Sequence, residues 1–291
     1  MFIAGIDGGG THTRIEVRDM DNHLVRRGEF GPFNINSIGE AAYRILLREV
    51  FDWCGGMADC ARLCVGAAGI SNPKVKEILD EELKNAGFTG TWYLCGDQEI
   101  ALRGAMDGPG VAVISGTGSI CFGKNAEGRT ARSGGFGHII DDGGSGYALG
   151  RDVLSSAVRC IDGRAKDSGI LRAVCDRLEG GPEKIVPFVY SPGTDKSAIA
   201  KFSHIALSLA ERGDPEAATI LARGAEELYA LVAAVQENLG LSQCPIALLG
   251  GMIAADNAYR RIVAEKLGAL GTVIAPAHNA LWGAAQMAFE L

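Results

Sequence analysis

Two stretches of the sequence decide the fold: IDGGGTHTRIEV at residues 6–17 and ISGTGSICFGKN at residues 114–125. Each has an apolar run, a turn rich in Gly with Thr or Ser, and a second apolar run. This pattern predicts two β-strands joined by a tight hairpin. Because the same plan occurs in both halves of the chain, we infer an internal repeat in which each copy begins an α/β half.

The residues around the first hairpin alternate between strand and helix patterns. The first three strands are expected to form an antiparallel meander, and the later ones are separated by amphipathic helices. The predicted strands span residues 2–7, 14–18, 24–30, 61–67 and 91–95, and the predicted helices span residues 40–53, a segment opened by Pro73, and residues 98–105.

The second half begins with a similar meander and then becomes mainly helical. We predict two domains, residues 1–107 and residues 108–291, and expect the last helix, about residues 279–291, to pack back on the N-terminal domain. The predicted strands of this half span residues 111–115, 120–123 and 246–249, with a further hairpin at Glu127 and Gly128, and the long predicted helices span residues 196–211 and 215–239.

Composition excludes several classes of protein. The chain has 291 residues, 47% of them hydrophobic, so it can bury enough apolar surface to fold. Its formal net charge of −7 and the lack of a basic run argue against a nucleic acid partner. No apolar stretch is long enough for a membrane span, and no signal peptide is visible, so we expect a cytoplasmic protein without a membrane partner. The eight cysteines contain no C-x-x-C pair and are expected to be reduced core residues.

The glycine turns suggest a phosphate ligand. A turn of Gly and Thr between two strands exposes backbone N–H groups, which suit the oxygens of a phosphate chain. Two such turns, together with a third at Gly250 and Gly251, favour phosphate binding over simple hairpins. Asp7 precedes the first turn, where its carboxylate could hold a hydrated Mg²⁺ or could simply initiate the turn.

Five ordered motifs carry a family resemblance. They are DGGGTHT at residues 7–13, CGDQEIALRGA at 95–105, ISGTGS at 114–119, GGFGHIIDDGGSGYALG at 134–150 and LLGG at 248–251. Together they resemble the N-acetylglucosamine kinase branch of the actin/hexokinase/Hsp70 ATPase superfamily, the group that also contains the BadF-type ATPases. The resemblance implies an α/β fold of two actin-like (ribonuclease H-like) domains, with an interdomain cleft for nucleotide and sugar. It also implies ATP and Mg²⁺ as cofactors and a small-molecule amino sugar as substrate, and it is compatible with a homodimer.

The resemblance assigns roles to individual residues. Asp97 matches the carboxylate that accepts the proton of the sugar C6 hydroxyl, and Asp7 matches a residue that contacts Mg²⁺ through water. The implied nucleotide contacts are Asp7, Gly9, Gly10, Thr11, Gly116, Thr117, Gly118, Gly250 and Gly251. The implied substrate contacts are Asn34, Asp97, Ser119, Gly135, Phe136 and Asp142, with Phe136 at a place where a Trp often lines the sugar pocket.

Each of these side chains has a plainer alternative. Asp97 directly precedes a helical run and could be its N-cap, while Asn34 and Asp142 could be turn residues. The expected activity is ATP-dependent phosphorylation of an amino sugar, N-acetylglucosamine to its 6-phosphate, but glucosamine, N-acetylmuramic acid and a plain hexose offer similar hydroxyls.

Two other functions stay open. One is an iron–sulfur ATPase that activates a 2-hydroxyacyl-CoA dehydratase, although the nearest cysteines, Cys60 and Cys64, lie in an apolar strand pattern. The other is a non-catalytic, ATP-gated sugar sensor, against which the presence of Asp97 argues.

Overall fold

The chain folds into two compact units, as seen in a computed structural model that describes residues 1–166 and 168–291. Unit 1 comprises Met1–Asp107 and Pro276–Leu291, and unit 2 comprises Gly108–Ala275. Each unit is built around one five-stranded sheet flanked by helices.

The strands and helices, in chain order, have the following bounds. The strands are β1 (Phe2–Gly8), β2 (Thr13–Arg18), β3 (Leu24–Phe30), β4 (Cys60–Ala67), β5 (Thr91–Gly96), β6 (Gly110–Ser115), β7 (Ser119–Lys124), β8 (Thr130–Gly134), β9 (Cys244–Leu249) and β10 (Gly271–Ile274). The α-helices are α1 (Ile35–Trp53), α2 (Lys74–Asn85), α3 (Asp97–Ala105), α4 (Gly146–Ile161), α5 (Ile170–Arg177), α6 (Ile185–Val189), α7 (Lys196–Ala200), α8 (Ser203–Ala210), α9 (Pro215–Leu239), α10 (Ala258–Leu267) and α11 (Ala280–Phe289). A 3₁₀ turn at Pro182–Lys184 precedes α6.

The two sheets share one topology, which confirms the internal repeat. The first has the order β3-β2-β1-β4-β5 and the second the order β10-β9-β6-β7-β8. In each, three antiparallel strands are followed by two strands that run parallel to the first strand of the meander. Parallel strands need crossover connections, and helices supply them in both units.

The first sheet is covered on both faces. Alternating residues of β1 point to opposite sides, so Ala4 and Ile6 pack with α1 and α2 while Ile3 packs with α3 and α11. The close approach of α11 depends on Gly5, because a Cβ there would overlap the backbone of Ala285.

The core of unit 2 lies between its sheet and the long helices. Val113 of β6 and Leu248 of β9 pack with Leu149 of α4 and with Leu228 and Val232 of α9, all fully or almost fully buried. Helices α4 to α9 fill the long connection between β8 and β9. Burial of this many large aliphatic side chains stabilises the unit, at about 25 cal/mol per Å² of apolar surface removed from water.

Helix α9 confirms one sequence prediction, and the helix predicted over residues 40–53 is also present. The range of α1 joins a short turn capped by Asn34 to this helix, and Gly39, with non-helical dihedrals of φ +79° and ψ +164°, separates the two. The single helix predicted over residues 196–211 is two helices, α7 and α8. Lys201 and Phe202 lie between them with helical dihedrals, but the Phe202 N–H donates to the Ile199 carbonyl at 3.0 Å, three residues back, rather than four residues back as in an α-helix.

Six of the eight cysteines lie in the apolar interior of the units, as expected: Cys54, Cys60, Cys64, Cys95, Cys121 and Cys244. The expectation is wrong for Cys160 and Cys175, which are only partly buried. Cys60 and Cys64 both belong to β4. Within the described ranges, no helix is long and apolar enough to cross a lipid bilayer.

Candidate functional site

The C-terminal ends of three parallel strands meet at one edge of the first sheet. In the register of these strands, Gly8 of β1 pairs with Ala67 of β4, which in turn pairs with Gly96 of β5. The chain segments that follow these strands therefore begin side by side. In open sheets with parallel strands this edge is where ligands bind.

Asp97 is the first residue of α3, directly after β5. The alternative role as N-cap is wrong, because Gly96 is the N-cap and the Glu99 carboxylate accepts a hydrogen bond from its N–H at 3.4 Å. Burial raises the pKa of Asp97, although the nearby backbone N–H groups of Gln98 and of Asp97 itself act in the opposite direction. A buried carboxylate with a raised pKa is a stronger base than an ordinary surface Asp.

Asp7 lies near the end of β1, one residue before the glycine turn. Its side chain is 14% exposed, and burial raises its pKa, with the Arg14 guanidinium opposing this effect and the negative charge of Asp97 adding to it. The Arg14 Nη2 and the Asp7 Oδ2 are 3.8 Å apart, because the two residues are cross-strand partners in β1 and β2. The carboxylates of Asp7 and Asp97 thus influence each other electrostatically.

The first glycine turn is closed by its own backbone. Gly9 donates to the His12 carbonyl at 2.9 Å, and Phe33 donates to the Gly9 carbonyl at 3.0 Å. Gly10 and Thr11, between them, are exposed, and a Cβ added to Gly10 would meet nothing within 4 Å. The tip of the turn is therefore open for a ligand that accepts backbone hydrogen bonds.

Asn34 has a structural role, as the alternative in the sequence analysis suggested. It caps α1, with its side-chain oxygen accepting from the Asn36 N–H at 3.0 Å. It also lies at the same sheet edge, since a Cβ at Gly69, just after β4, would come within 2.8 Å of the Asn34 Oδ1. The NH₂ group of Asn34 stays available to a hydroxyl acceptor.

In unit 2, the second and third glycine turns lie at one edge of the second sheet. Strands β6 and β9 are parallel, with Ile114 paired to Leu249, so the turns that follow both strands are neighbours. Gly250 has φ of +87° and packs against the backbone of Ser115, which only glycine permits without strain. Gly116 donates to the Gly118 carbonyl at 2.9 Å, and a Cβ added to Gly116 would meet open space.

The segment that contains Asp142 braces the second turn. Asp142 is buried, and its Oδ1 accepts from the Ser119 N–H at 3.2 Å, while the Ser119 hydroxyl donates to the Gly143 carbonyl at 2.7 Å. At the start of α4, Gly146 donates to the Gly116 carbonyl at 2.7 Å and Tyr147 to that of Thr117 at 3.2 Å. Residues predicted to contact sugar thus also hold the predicted phosphate turn in place.

The loop after β8 is the least enclosed part of the predicted site. Gly135 has φ of +76° and lies against Ile120. The Phe136 side chain is 63% exposed and is covered on one side by the Arg132 guanidinium, 5.0 Å from the ring centroid. A contact between Phe136 and sugar stays a prediction.

Mg²⁺ suits the donor set around Asp7. This ion is usually held by one or two carboxylates, several waters and substrate phosphates rather than by a cage of side chains. Among residues 1–166 and 168–291, the one group of three His, Cys, Asp or Glu side chains close enough to share an ion is Asp19, Asp21 and His23, on the turn between β2 and β3. Asp7 is not part of this group and offers a single carboxylate, which is sufficient for a Mg²⁺ ion that keeps most of its waters.

Two residues at the edge of the first sheet were missed by the sequence analysis. Arg14 pairs with Asp7, and Gly69 approaches Asn34. The pairing of Arg14 could have been found, because a hairpin closed between Gly9 and His12 places residues 7 and 14 opposite each other. The contact at Gly69 joins segments that are distant in sequence and leaves no local pattern.

Known sugar kinases resemble this chain in sequence and in fold. The chain is 35% identical over 261 residues to an N-acetylmuramic acid/N-acetylglucosamine kinase of Clostridium acetobutylicum, covering 87% of this chain and 85% of that protein. It is 27% identical over 283 residues to an N-acetyl-D-glucosamine kinase of Dictyostelium discoideum, covering 90% and 89% of the two chains. A crystal structure from Chromobacterium violaceum, provisionally named an N-acetylglucosamine kinase, superposes with a TM-score of 0.80 at 26% identity and covers 98% of both chains.

These comparisons confirm the two-domain sugar kinase fold expected from the five motifs. The family match extends over residues 4–288, which include every candidate site residue. The chain therefore belongs to the BadF/BadG/BcrA/BcrD ATPase family.

Proposed function

We propose that this protein is an ATP-dependent kinase that phosphorylates an amino sugar, with N-acetylglucosamine as the first acceptor to test and its C6 hydroxyl as the attacking group. Membership of an ATPase family supports the use of ATP. Two relatives that align with more than four-fifths of the chain are kinases of N-acetylglucosamine, and one of them also acts on N-acetylmuramic acid.

The observation that carries the proposal is the position of Asp97. It is a partly buried carboxylate with a raised pKa, it follows directly on a strand at the ligand-binding edge of the sheet, and it does not cap its helix. A general base needs these properties, since it must be ionised at working pH yet accept a proton from an alcohol as the new bond forms.

In this proposal each unit has its own tasks. In unit 1, Asp97 accepts the proton of the sugar hydroxyl while the hydroxyl oxygen forms a bond to the γ-phosphorus of ATP. The bond between the γ-phosphorus and the bridging oxygen breaks, and ADP leaves with its electron pair. The NH₂ group of Asn34 donates to a ring hydroxyl, and the N–H groups of Gly10 and Thr11 donate to phosphate oxygens.

In unit 2, the turn at residues 116–118 binds phosphate, and Gly250 with Gly251 packs against adenosine. Positioning and charge stabilisation supply most of the rate in phosphoryl transfer.

Asp7 would hold hydrated Mg²⁺ through its carboxylate. The ion would neutralise charge on the phosphates when bound. The negative charge of Asp97 disfavours ionisation of Asp7. A cation bound at Asp7 would stabilise its ionised form.

A coupled assay for ADP release would test the acceptor. We would compare N-acetylglucosamine, glucosamine, N-acetylmuramic acid and glucose at saturating MgATP, and identify the phosphorylated position by mass spectrometry and NMR. The proposal expects an amino sugar to give the highest kcat/KM. ADP release that no sugar stimulates would contradict it and would favour an ATPase or sensor.

Substitution of the base would test the mechanism. Asp97→Asn should lower kcat by about 10²- to 10⁴-fold, the usual contribution of a general base, while sugar binding measured by calorimetry is largely kept. Glu99→Gln is the matched control, since Glu99 lies in the same helical turn and caps α3. It should lower thermal stability slightly and leave kcat near that of the wild type. Equal kcat values for both variants would show that Asp97 is not the base.

A further inference from the structure

A polar cavity of about 500 Å³ lies in unit 2, toward the C-terminal end of α4. Helix α4 contributes four residues whose spacing along the chain places them on one face of the helix: Asp152, Ser155, Ser156 and Arg159. Helix α9 contributes Glu216 and Arg223, which lie two turns apart, and the chain after α4 contributes Arg164 and Lys166. The cavity is large enough for a small organic molecule.

This cavity is separate from the candidate site. The first two residues of α4, Gly146 and Tyr147, donate hydrogen bonds to the turn at residues 116–118. Arg159 lies in the last turn of the same helix, about 20 Å away at the usual helical rise. In the part of the chain that the structure describes, none of the residues assigned to nucleotide, metal or sugar lines the cavity.

The charges around the cavity leave two cations without partners. Three ion pairs account for the other charged residues at or beside it: Arg151 with Asp152, Arg164 with Asp162 and Arg223 with Glu216. Within residues 1–166 and 168–291, no acidic group lies within ion-pair distance of Arg159 or Lys166. Among the described residues, the cavity therefore has a surplus of two positive charges, which favours an anionic ligand.

The two carboxylates of the lining can also accept hydrogen bonds from a ligand. Ser156 is buried, and its hydroxyl donates to the Glu216 Oε1 at 3.3 Å, which connects α4 with α9. Arg151 donates to the Asp152 Oδ1 at 3.0 Å. The second oxygen of each carboxylate has no hydrogen-bond partner among the described residues. Hydroxyl groups on the ligand would satisfy these oxygens.

We propose that this cavity binds a sugar phosphate. Arg159 and Lys166 hold the phosphate group, and a guanidinium can donate to two of its oxygens at once. Asp152 and Glu216 accept hydrogen bonds from the sugar hydroxyls. A phosphate monoester carries a charge of about −1.5 to −2 at pH 7, which matches the surplus positive charge. The site is additional to the candidate site, and its assignment does not rest on the proposed function.

The main competing explanation is that Arg159 only stabilises its helix. It lies in the last turn of α4, where a cation interacts favourably with the helix dipole. Its removal would then lower the melting temperature slightly and leave every ligand affinity unchanged. A sugar phosphate site predicts instead a loss of affinity that depends on the phosphate group.

We would measure the Kd values of glucose 6-phosphate, inorganic phosphate and glucose by calorimetry, with saturating MgAMPPNP and N-acetylglucosamine present to occupy the candidate site. The test variant combines Arg159→Gln with Lys166→Gln, and the matched control combines Lys124→Gln with Arg129→Gln. Lys124 and Arg129 are exposed cations of unit 2 at the connection between β7 and β8, so both variants lose the same charge. Thermal unfolding would show that each variant is folded.

Glucose 6-phosphate should bind the wild type with a stoichiometry near one. Inorganic phosphate should bind more weakly, because it cannot reach the cations and both carboxylates together, and glucose should bind more weakly still. The test variant should weaken glucose 6-phosphate binding by about 10-fold or more, since charge-assisted hydrogen bonds are lost. The control variant should keep the wild-type Kd.

Equal Kd values of glucose 6-phosphate for the wild type and the folded test variant would overturn the inference, as would no binding at millimolar concentration. A Kd of glucose or of inorganic phosphate equal to that of glucose 6-phosphate would also overturn it. If no sugar stimulates ADP release but the test variant loses affinity for glucose 6-phosphate, the proposed function is wrong and the cavity assignment holds. If the wild type is an active sugar kinase and the affinity is unaffected, the proposed function holds and the cavity assignment is wrong.

Discussion

Replacement of Gly116 by Ala would separate nucleotide binding from stability. Gly116 lies outside the left-handed region, and a Cβ built on it would meet no atom within 4 Å. The folded protein therefore has room for the methyl group. Because Ala restricts the unfolded chain more than Gly does, the variant should be as stable as the wild type or more stable by about 0.4–1 kcal/mol.

The same methyl group should interfere with a phosphate. The open space beside Gly116 is where the proposal puts the phosphate chain, so the methyl would push it away from the backbone N–H groups of the turn. Loss of one hydrogen bond to a charged group costs about 1.5–3 kcal/mol, which weakens ATP binding roughly 10- to 150-fold. Gly10→Ala in unit 1 has the same open environment and should behave alike.

The chain supplies matched controls. Gly31 in unit 1 and Gly193 in unit 2 also face open space and have no left-handed backbone, but neither belongs to the candidate site. Calorimetric titration with MgATP and thermal unfolding would be run on all four Ala variants. Equal ATP affinity for Gly116→Ala and Gly193→Ala, with both proteins folded, would refute the assignment of residues 116–118 as a phosphate turn.

Three further outcomes follow from named residues. Gly250→Ala combines a left-handed φ with an overlap on the Ser115 backbone, so it should lower the free energy of unfolding by about 1–3 kcal/mol, visible as a lower Tm. Tyr43→Phe should leave stability unchanged or raise it by about 1 kcal/mol in chemical denaturation, because the buried Tyr43 hydroxyl has no hydrogen-bond partner among the described residues. Burial raises the pKa of Asp97 and of Asp7, and the proposed mechanism requires both carboxylates in their ionised forms. In that mechanism kcat/KM should fall as pH decreases and begin to do so above the ordinary Asp value of 3.8. A pH profile flat down to that value would contradict the last prediction.

Local sequence signals were sufficient for most of the fold. The helix at Pro215–Leu239 was predicted at both ends, because Asp214 and Pro215 begin it and Gly240 ends it with φ of +64°. The repeated hairpin pattern predicted two similar sheets, and both have the same strand topology. These features depend on residues that are close together in the chain. The spacing of apolar residues and the residue types in the turns determine them directly.

Contacts between distant segments were not predictable in this way. The short turn at residues 35–38, which Asn34 caps ahead of the non-helical Gly39, was not predicted, because four residues are too few to show a helical period. The interruption between α7 and α8 is a local change of hydrogen-bond pattern at Phe202, and the apolar period is the same on both sides of such a change. For the candidate site, residue types came from the family resemblance, whereas the pairing of Asp7 with Arg14 required the register of the hairpin.

Asp142 braces the predicted phosphate turn of unit 2 and is also predicted to bind sugar. It adopts φ of +64°, which is uncommon for a residue other than glycine and costs roughly 1–3 kcal/mol. The hydrogen bond from the Ser119 N–H to Oδ1 offsets part of that cost. A Cβ built on Gly118 would lie 2.9 Å from Oδ2 and 3.1 Å from Oδ1, so both carboxylate oxygens lie beside the turn. Each oxygen keeps a lone pair for a further donor, so a sugar hydroxyl that binds Asp142, as the family resemblance predicts, would lie next to the predicted phosphate turn.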